Sequence, residues 1–215
     1  MVQVIKKINI NQNEKMKIGV KMKHRLGFIS VILLVLMVGC AKKTTFGKLD
    51  KTPYETKECL KELSCGAELK GQSIDKIVVY KKKRRMYTYA EGKLVNEFRI
   101  SLGKNGDKGD KVKVGDYKTP EGNYTIVRKK CDNRLYKSLM ISYPNAKDTA
   151  RANKVGVNPG GYITIHGQPK WNADGRGDSY TLAHDWTEGC MAVPNRAMDT
   201  LWRAVKNGVP IDIHA

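Results

Sequence analysis

Apolar and polar positions divide the chain into three stretches of different texture. Residues 1–25 are basic and weakly patterned, and Leu26–Val38, "LGFISVILLVLMV", is a charge-free apolar run of 13 residues ending at Gly39-Cys40. That run is short of the roughly 20 apolar residues a spanning helix needs. A basic lead, an apolar stretch of this size and a small residue at the break form the pattern of a secretory signal. Residues 41–72 are charged, with only Leu60 and Leu63 at helical spacing in "YETKECLKELSCGAELKG". They read as a tether carrying one short helix. From about Ile74 the texture changes to short apolar runs broken by glycine turns. Strands are expected at 77–80, 84–89, 93–102, 123–128, 138–142, 161–165 and 209–213. One helix is expected over 194–206, "PNRAMDTLWRAVK", with Met198, Leu201, Trp202 and Val205 on one face and Asn207-Gly208 as its stop. Many short strands and one or two short helices predict a mainly β domain over 73–215, sandwich-like or barrel-like.

Charge sharpens the picture of the front end. Residues 1–40 hold seven of the 40 basic and one of the 21 acidic residues, so the remainder keeps 33 against 20, a net +13. Such a surplus attracts anionic surfaces or polymers. No zinc-knuckle spacing, aromatic RNA-binding strand or helix-turn-helix pattern accompanies it, so nucleic acid is not the expected partner. "KKKRR" at Lys81–Arg85 lies between two strand-like runs and reads as a solvated turn. The "MVGC" ending at Cys40 resembles a bacterial lipobox, which implies removal of residues 1–39, lipidation of Cys40 and a membrane-anchored protein in the cell envelope.

The chain has five cysteines, and an exported location makes disulfides admissible. Cys59 and Cys65 are close enough in sequence for a local bridge, and Cys131 is a candidate partner for Cys190. A zinc site is not expected, because no CxxC or HxxxH spacing is present.

Candidate chemistry concentrates between residues 166 and 190. His166 ends a strand-like run and precedes Gly167; Cys190 follows Gly189 in "HDWTEGCMAV". A free thiol is mostly protonated at neutral pH and needs a base to become a nucleophile. A tetrahedral intermediate needs backbone N–H donors, which a glycine-containing loop can present. A thiol, an imidazole and such a loop are the parts of acyl transfer by cysteine. Spacing alone does not bring them together. The "RGD" at 176–178 is an ordinary loop sequence.

These residues carry a resemblance. "HG" at 166–167 followed by "TEGCMAV" at 187–193 resembles the signature of YkuD-type L,D-transpeptidases. The upstream stretch "FRISLGKNGDKGDKVKVGDYKTPEGNY", Phe98–Tyr124, is similar to that family's strand and G-D-x-x-T-P-E-G-x-Y segment. The resemblance covers roughly 74–215 and implies a thiol acyltransferase on peptidoglycan stem peptides, monomeric and without cofactor or metal. It implies Cys190 as nucleophile and His166 as general base, with the Gly167 carbonyl orienting that base. Gly189 and Cys190 fall on the oxyanion loop and Thr187 on a Ser/Thr place. Thr187, His184, Trp186, Glu121 and Tyr124 are the expected substrate contacts. Two positions depart from the pattern: Glu188 where many members have histidine, and Ala192 where many have an arginine for a substrate carboxylate. A hydrolase on the same scaffold and a non-catalytic wall-binding lipoprotein, the latter favoured by a Cys190 oxidised with Cys131, are the competing readings.

Overall fold

The computed structural model describes residues 51–64 and 72–215. The signal-like segment, Cys40 and Cys65 lie outside the described residues.

Eight strands form one mixed sheet. In chain order they are β1 (Lys76–Tyr80), β2 (Arg85–Ala90), β3 (Lys93–Arg99), β4 (Gly122–Asp132), β5 (Tyr136–Ile141), β6 (Thr164–His166), β7 (Met191–Ala192) and β8 (Pro210–His214). Their order across the sheet is β3-β2-β1-β8-β4-β5-β6-β7. The pairs β1–β8 and β6–β7 are parallel and the others antiparallel. The helices are α1 (Lys57–Ser64), α2 (Ala146–Lys154), α3 (Asp178–Thr181) and α4 (Asn195–Ala204). The expectation of a mainly β domain with a barrel-like sheet holds.

Two features curl the sheet. Strand β4 is long enough to serve two neighbours: Gly122–Thr125 pair with β8, and Ile126–Asp132 pair with β5. The pairing register shifts between Ile126 and Arg128, and such an irregularity bends a strand and increases its twist. At the far side, the chain leaving edge strand β3 returns to the other edge. Ser101 bridges Ala192 and Gly103 bridges Thr187. The sheet is thus a half-barrel with a seam, and the loop carrying Cys190 lies on that seam.

The core fills the curl. Ile77, Val79, Met86, Ile126, Leu139, Ile165, Met191 and Ile211 are fully buried. Helix α4 closes one side with Ala197, Met198, Leu201 and Trp202. Met198, Leu201 and Trp202 belong to the predicted stripe, whose fourth residue, Val205, is buried as the extended residue that ends the helix. Helix α2 is an addition to that prediction. "AKDTARANK" has no apolar stripe, and its start is set by a capping box in which Asn145 and Asp148 satisfy each other's backbone N–H groups.

Residues 51–64 pack on the domain. Cys59 is bonded to Cys131, and Lys137 pairs with Glu62 at 3.0 Å. Both proposed pairings, Cys59 with Cys65 and Cys131 with Cys190, are therefore replaced. The reason is topological: α1 lies over the end of β4, which brings Cys59 to Cys131 across 72 residues of sequence. Leu60 and Leu63, the apparent helical stripe, stay exposed while Cys59 is buried.

Candidate active site

Parallel pairing of β6 with β7 puts Ile165 opposite Met191 and His166 opposite Ala192. Cys190, one residue ahead of β7, therefore falls beside Thr164. His166 is two residues along β6 from Thr164, and alternation puts both side chains on one face. The Thr164 N–H and hydroxyl lie 3.4 and 3.5 Å from Cys190 Sγ, and the thiol reaches the Tyr162 carbonyl at 3.6 Å. Cys190 is a free, half-buried thiol.

His166 is 1% exposed, and its Nδ1 lies 2.7 Å from Gly167 O. A carbonyl only accepts, so the ring proton sits on Nδ1 and Nε2 is left as the basic nitrogen. The Trp186 ring stands edge-on to the imidazole at 5.6 Å, its indole N–H donating to Thr181 O at 3.1 Å. Burial pushes the Cys190 thiol up. The hydrogen bond and charge of His166, followed by the two Thr164 donors, pull it down further, and the net direction is below the ordinary thiol value.

The thiol loop is held from within. Thr187 Oγ1 donates to Cys190 O at 2.7 Å and accepts from Gly189 N–H at 3.1 Å. Of the two backbone donors the loop offers, that of Gly189 is already engaged. Thr187 also accepts from Lys104 N–H and donates its own N–H to Leu102 O, so it is a staple of the seam. Gly189 has φ +132°, and a Cβ there would stand 2.8 Å from Lys118 O. This position requires glycine on both counts.

The other expected contacts separate into three groups. His184 is exposed, its Nδ1 3.0 Å from Tyr180 O. Glu121 pairs with the fully buried Lys81 at 2.8 Å, which also donates to Gly109 O and Thr119 O. Tyr124 is 3% exposed in the core, with its hydroxyl 3.1 Å from Asp148 Oδ2. The "GDYKTPEGNY" segment does reach the thiol loop, but through Lys118 and Thr119: Thr119 Oγ1 accepts from Gly103 N–H at 3.1 Å. Ala192 is fully buried and exchanges both backbone hydrogen bonds with Ser101. An arginine at this place would have to leave the core, so the departure is built into the seam. Glu188 is exposed.

Sequence reasoning missed Thr164, Tyr162 and the Arg84–Asp185 pair. Asp185 accepts from Arg84 at 2.6 Å and from Leu102 N–H at 3.0 Å, which anchors the residue preceding Trp186. The presence of arginine and aspartate 101 positions apart carries no local signal. Among the described residues, no group of three or more His, Cys, Asp or Glu could hold a metal ion, and no helix is long and apolar enough to cross a membrane.

The Escherichia coli K12 protein YafK, which bears the L,D-transpeptidase name only provisionally, is 28% identical over 183 residues. The match covers 82% of this chain and 63% of YafK, so the chain spans under two thirds of that relative. Among solved structures, the helical cell shape determining protein Pgp2 of Campylobacter jejuni is 25% identical, with TM-score 0.49 over 78% of this chain and 52% of that one. Bd1075 of Bdellovibrio bacteriovorus is 24% identical, with TM-score 0.47 over 66% and 48%. Residues 74–213 match the YkuD L,D-transpeptidase catalytic domain, and the chain belongs to that family.

Proposed function

We propose that the chain is an exported cysteine acyltransferase of peptidoglycan stem peptides, with Cys190 as nucleophile and His166 as general base. The observation that carries the reading is a free thiol whose pKa is drawn down by an imidazole that is itself fixed through Nδ1. His166 Nε2 takes the thiol proton, and the thiolate attacks the carbonyl of a meso-diaminopimelate–D-alanine bond. The Cys190 N–H, the loop donor not engaged by Thr187, faces the developing oxyanion. Collapse breaks the C–N bond, D-alanine leaves with the proton from His166, and a thioester remains. An acceptor amine, deprotonated in turn by His166, attacks the thioester and regenerates the thiol. Water in place of the amine gives a carboxypeptidase by the same steps.

The basic–apolar–"VGC" order supports cleavage before Cys40 and lipid attachment there. The basic remainder suits an anionic envelope. Incubation of the protein with purified tetrapeptide muropeptides, followed by mass analysis, tests the reading. Crosslinked dimers with loss of D-alanine are expected. Tripeptides alone mark the hydrolase, and unchanged muropeptides with a free Cys190 sink the enzyme reading.

A further inference from the structure

The peptide unit joining Gly167 to Gln168 is held at both poles. Its oxygen, Gly167 O, lies 2.7 Å from His166 Nδ1. Its N–H, on Gln168, donates to Asn195 Oδ1 at 2.7 Å. This peptide is trans, so its C=O and N–H lie in one plane and point in opposite directions. A partner that fixes the N–H therefore aims the carbonyl at the imidazole. Hydrogen bonding at one pole also polarises the other and strengthens its bond.

Asn195 is fixed in its turn. Its amide nitrogen donates to Tyr54 Oη at 3.1 Å and Ala173 O at 3.2 Å, which distinguishes its oxygen from its nitrogen. The Tyr54 hydroxyl donates to Gln168 O at 3.0 Å, so Tyr54 spans both residues. The approach depends on Gly167, because a Cβ there would stand 2.5 Å from Asn195 Oδ1. Tyr54 precedes the family match, which begins at residue 74. It is held by Asn133 O at 2.7 Å through its N–H and by the Tyr136 ring at 5.4 Å. Five residues on, Cys59 is bonded to β4.

We propose that Asn195 and Tyr54 are positioning residues for the His166–Cys190 pair. They act through the Gly167–Gln168 peptide and make the segment 51–64 a working part of the site. The inference rests on the roles given above to His166 and Cys190. Loss of Asn195 leaves the Gln168 N–H without its partner and lets the peptide plane turn. His166 then loses its fixed orientation, and the imidazolium that stabilises the thiolate is less favoured.

The test is the pH dependence of Cys190 alkylation by iodoacetamide in the full chain, with the adduct mapped to Cys190 by peptide mass. In Asn195→Leu and, to a smaller degree, Tyr54→Phe, the apparent thiol pKa should rise. At a pH below the parent's apparent pKa the rate should fall by up to about tenfold for each unit of that rise. Asn195→Asp keeps an acceptor for the Gln168 N–H and should recover the larger part of the rate; a merely structural role would not move this profile. A parent-like profile in folded Asn195→Leu overturns the proposal. Should Asn195→Leu fail to fold, an unchanged profile in Tyr54→Phe overturns it equally. The prior reading fails separately: it falls if the parent's thiol titrates ordinarily and His166→Ala leaves the titration unmoved.

Discussion

Gly103 and Gly189 meet across the seam of the half-barrel, closer than side chains allow. A Cβ on Gly103 would stand 2.9 Å from both Gly189 Cα and Gly189 N, and 2.1 Å from Tyr117 O. Backbone packing of this kind holds the Cys190 loop against the chain segment that follows β3. Gly103→Ala should therefore lose about 1–3 kcal/mol of stability, the usual cost of overpacking. Gly189→Ala adds backbone strain at φ +132° and should cost more. Urea melts together with Cys190 alkylation rates check both. Parent-like values for Gly103→Ala would show that the seam yields freely.

The two histidines should behave differently. Because the Cys190 pKa is lowered, alkylation should persist as pH falls below the ordinary thiol pKa of about 8.5. It should be lost only as pH passes through the folded value. His166→Ala removes the main opposing influence to burial and should move the profile up. His184, exposed and tilted against the Tyr180 ring at 4.9 Å, should be replaceable by alanine with at most a few-fold change. Equal losses in the two variants would make the assignment of the base untenable.

Cys59–Cys131 closes 72 residues of sequence. In the chain-entropy account such a link is worth about 4 kcal/mol. Cys131→Ser should lower the melting temperature and expose residues 51–64 to protease. Differential scanning with and without reductant reads the same effect in the parent. A reductant-insensitive melt would show that packing alone holds the segment.

Tyr124 and Glu121 should now report on folding more than on turnover. Tyr124→Phe removes a buried hydroxyl partner of Asp148 and should cost about 1–3 kcal/mol. Lys81→Met should leave the three oxygens gathered by its ammonium without their donor and loosen the 109–121 loop. Chemical denaturation and muropeptide turnover together separate the two effects. A selective fall in turnover with unchanged stability would return Tyr124 to the substrate.

Lipid attachment at Cys40 is tested by fractionation. Cys40→Ser should leave the membrane fraction; a variant that stays membrane-bound with its signal retained would replace the lipid anchor by an uncleaved one. A parent that carries no acyl mass would remove the anchor from the proposal.

The sequence by itself determined the parts whose signal is local. Alternating apolar runs between glycine turns place most of the strands, because side-chain alternation follows from the strand backbone alone. Met198, Leu201 and Trp202 place α4 for the same reason at helical period. The HG and TEGC stretches expose their chemistry as residue types within 25 positions. Helix α2 was hidden because its stability comes from an Asn145–Asp148 cap with no apolar stripe. The tertiary structure decided what depends on register and long-range approach. Parallel pairing of β6 with β7 seats Cys190 beside Thr164. The curl of the sheet at β4 brings residues 101–103 to the thiol loop. The packing of residues 51–64 delivers Tyr54 to Asn195 and Gln168, and Cys59 to Cys131. Contacts between residues 141 or 72 positions apart leave no periodicity in the chain, because nothing in either local stretch depends on the other until the core has formed.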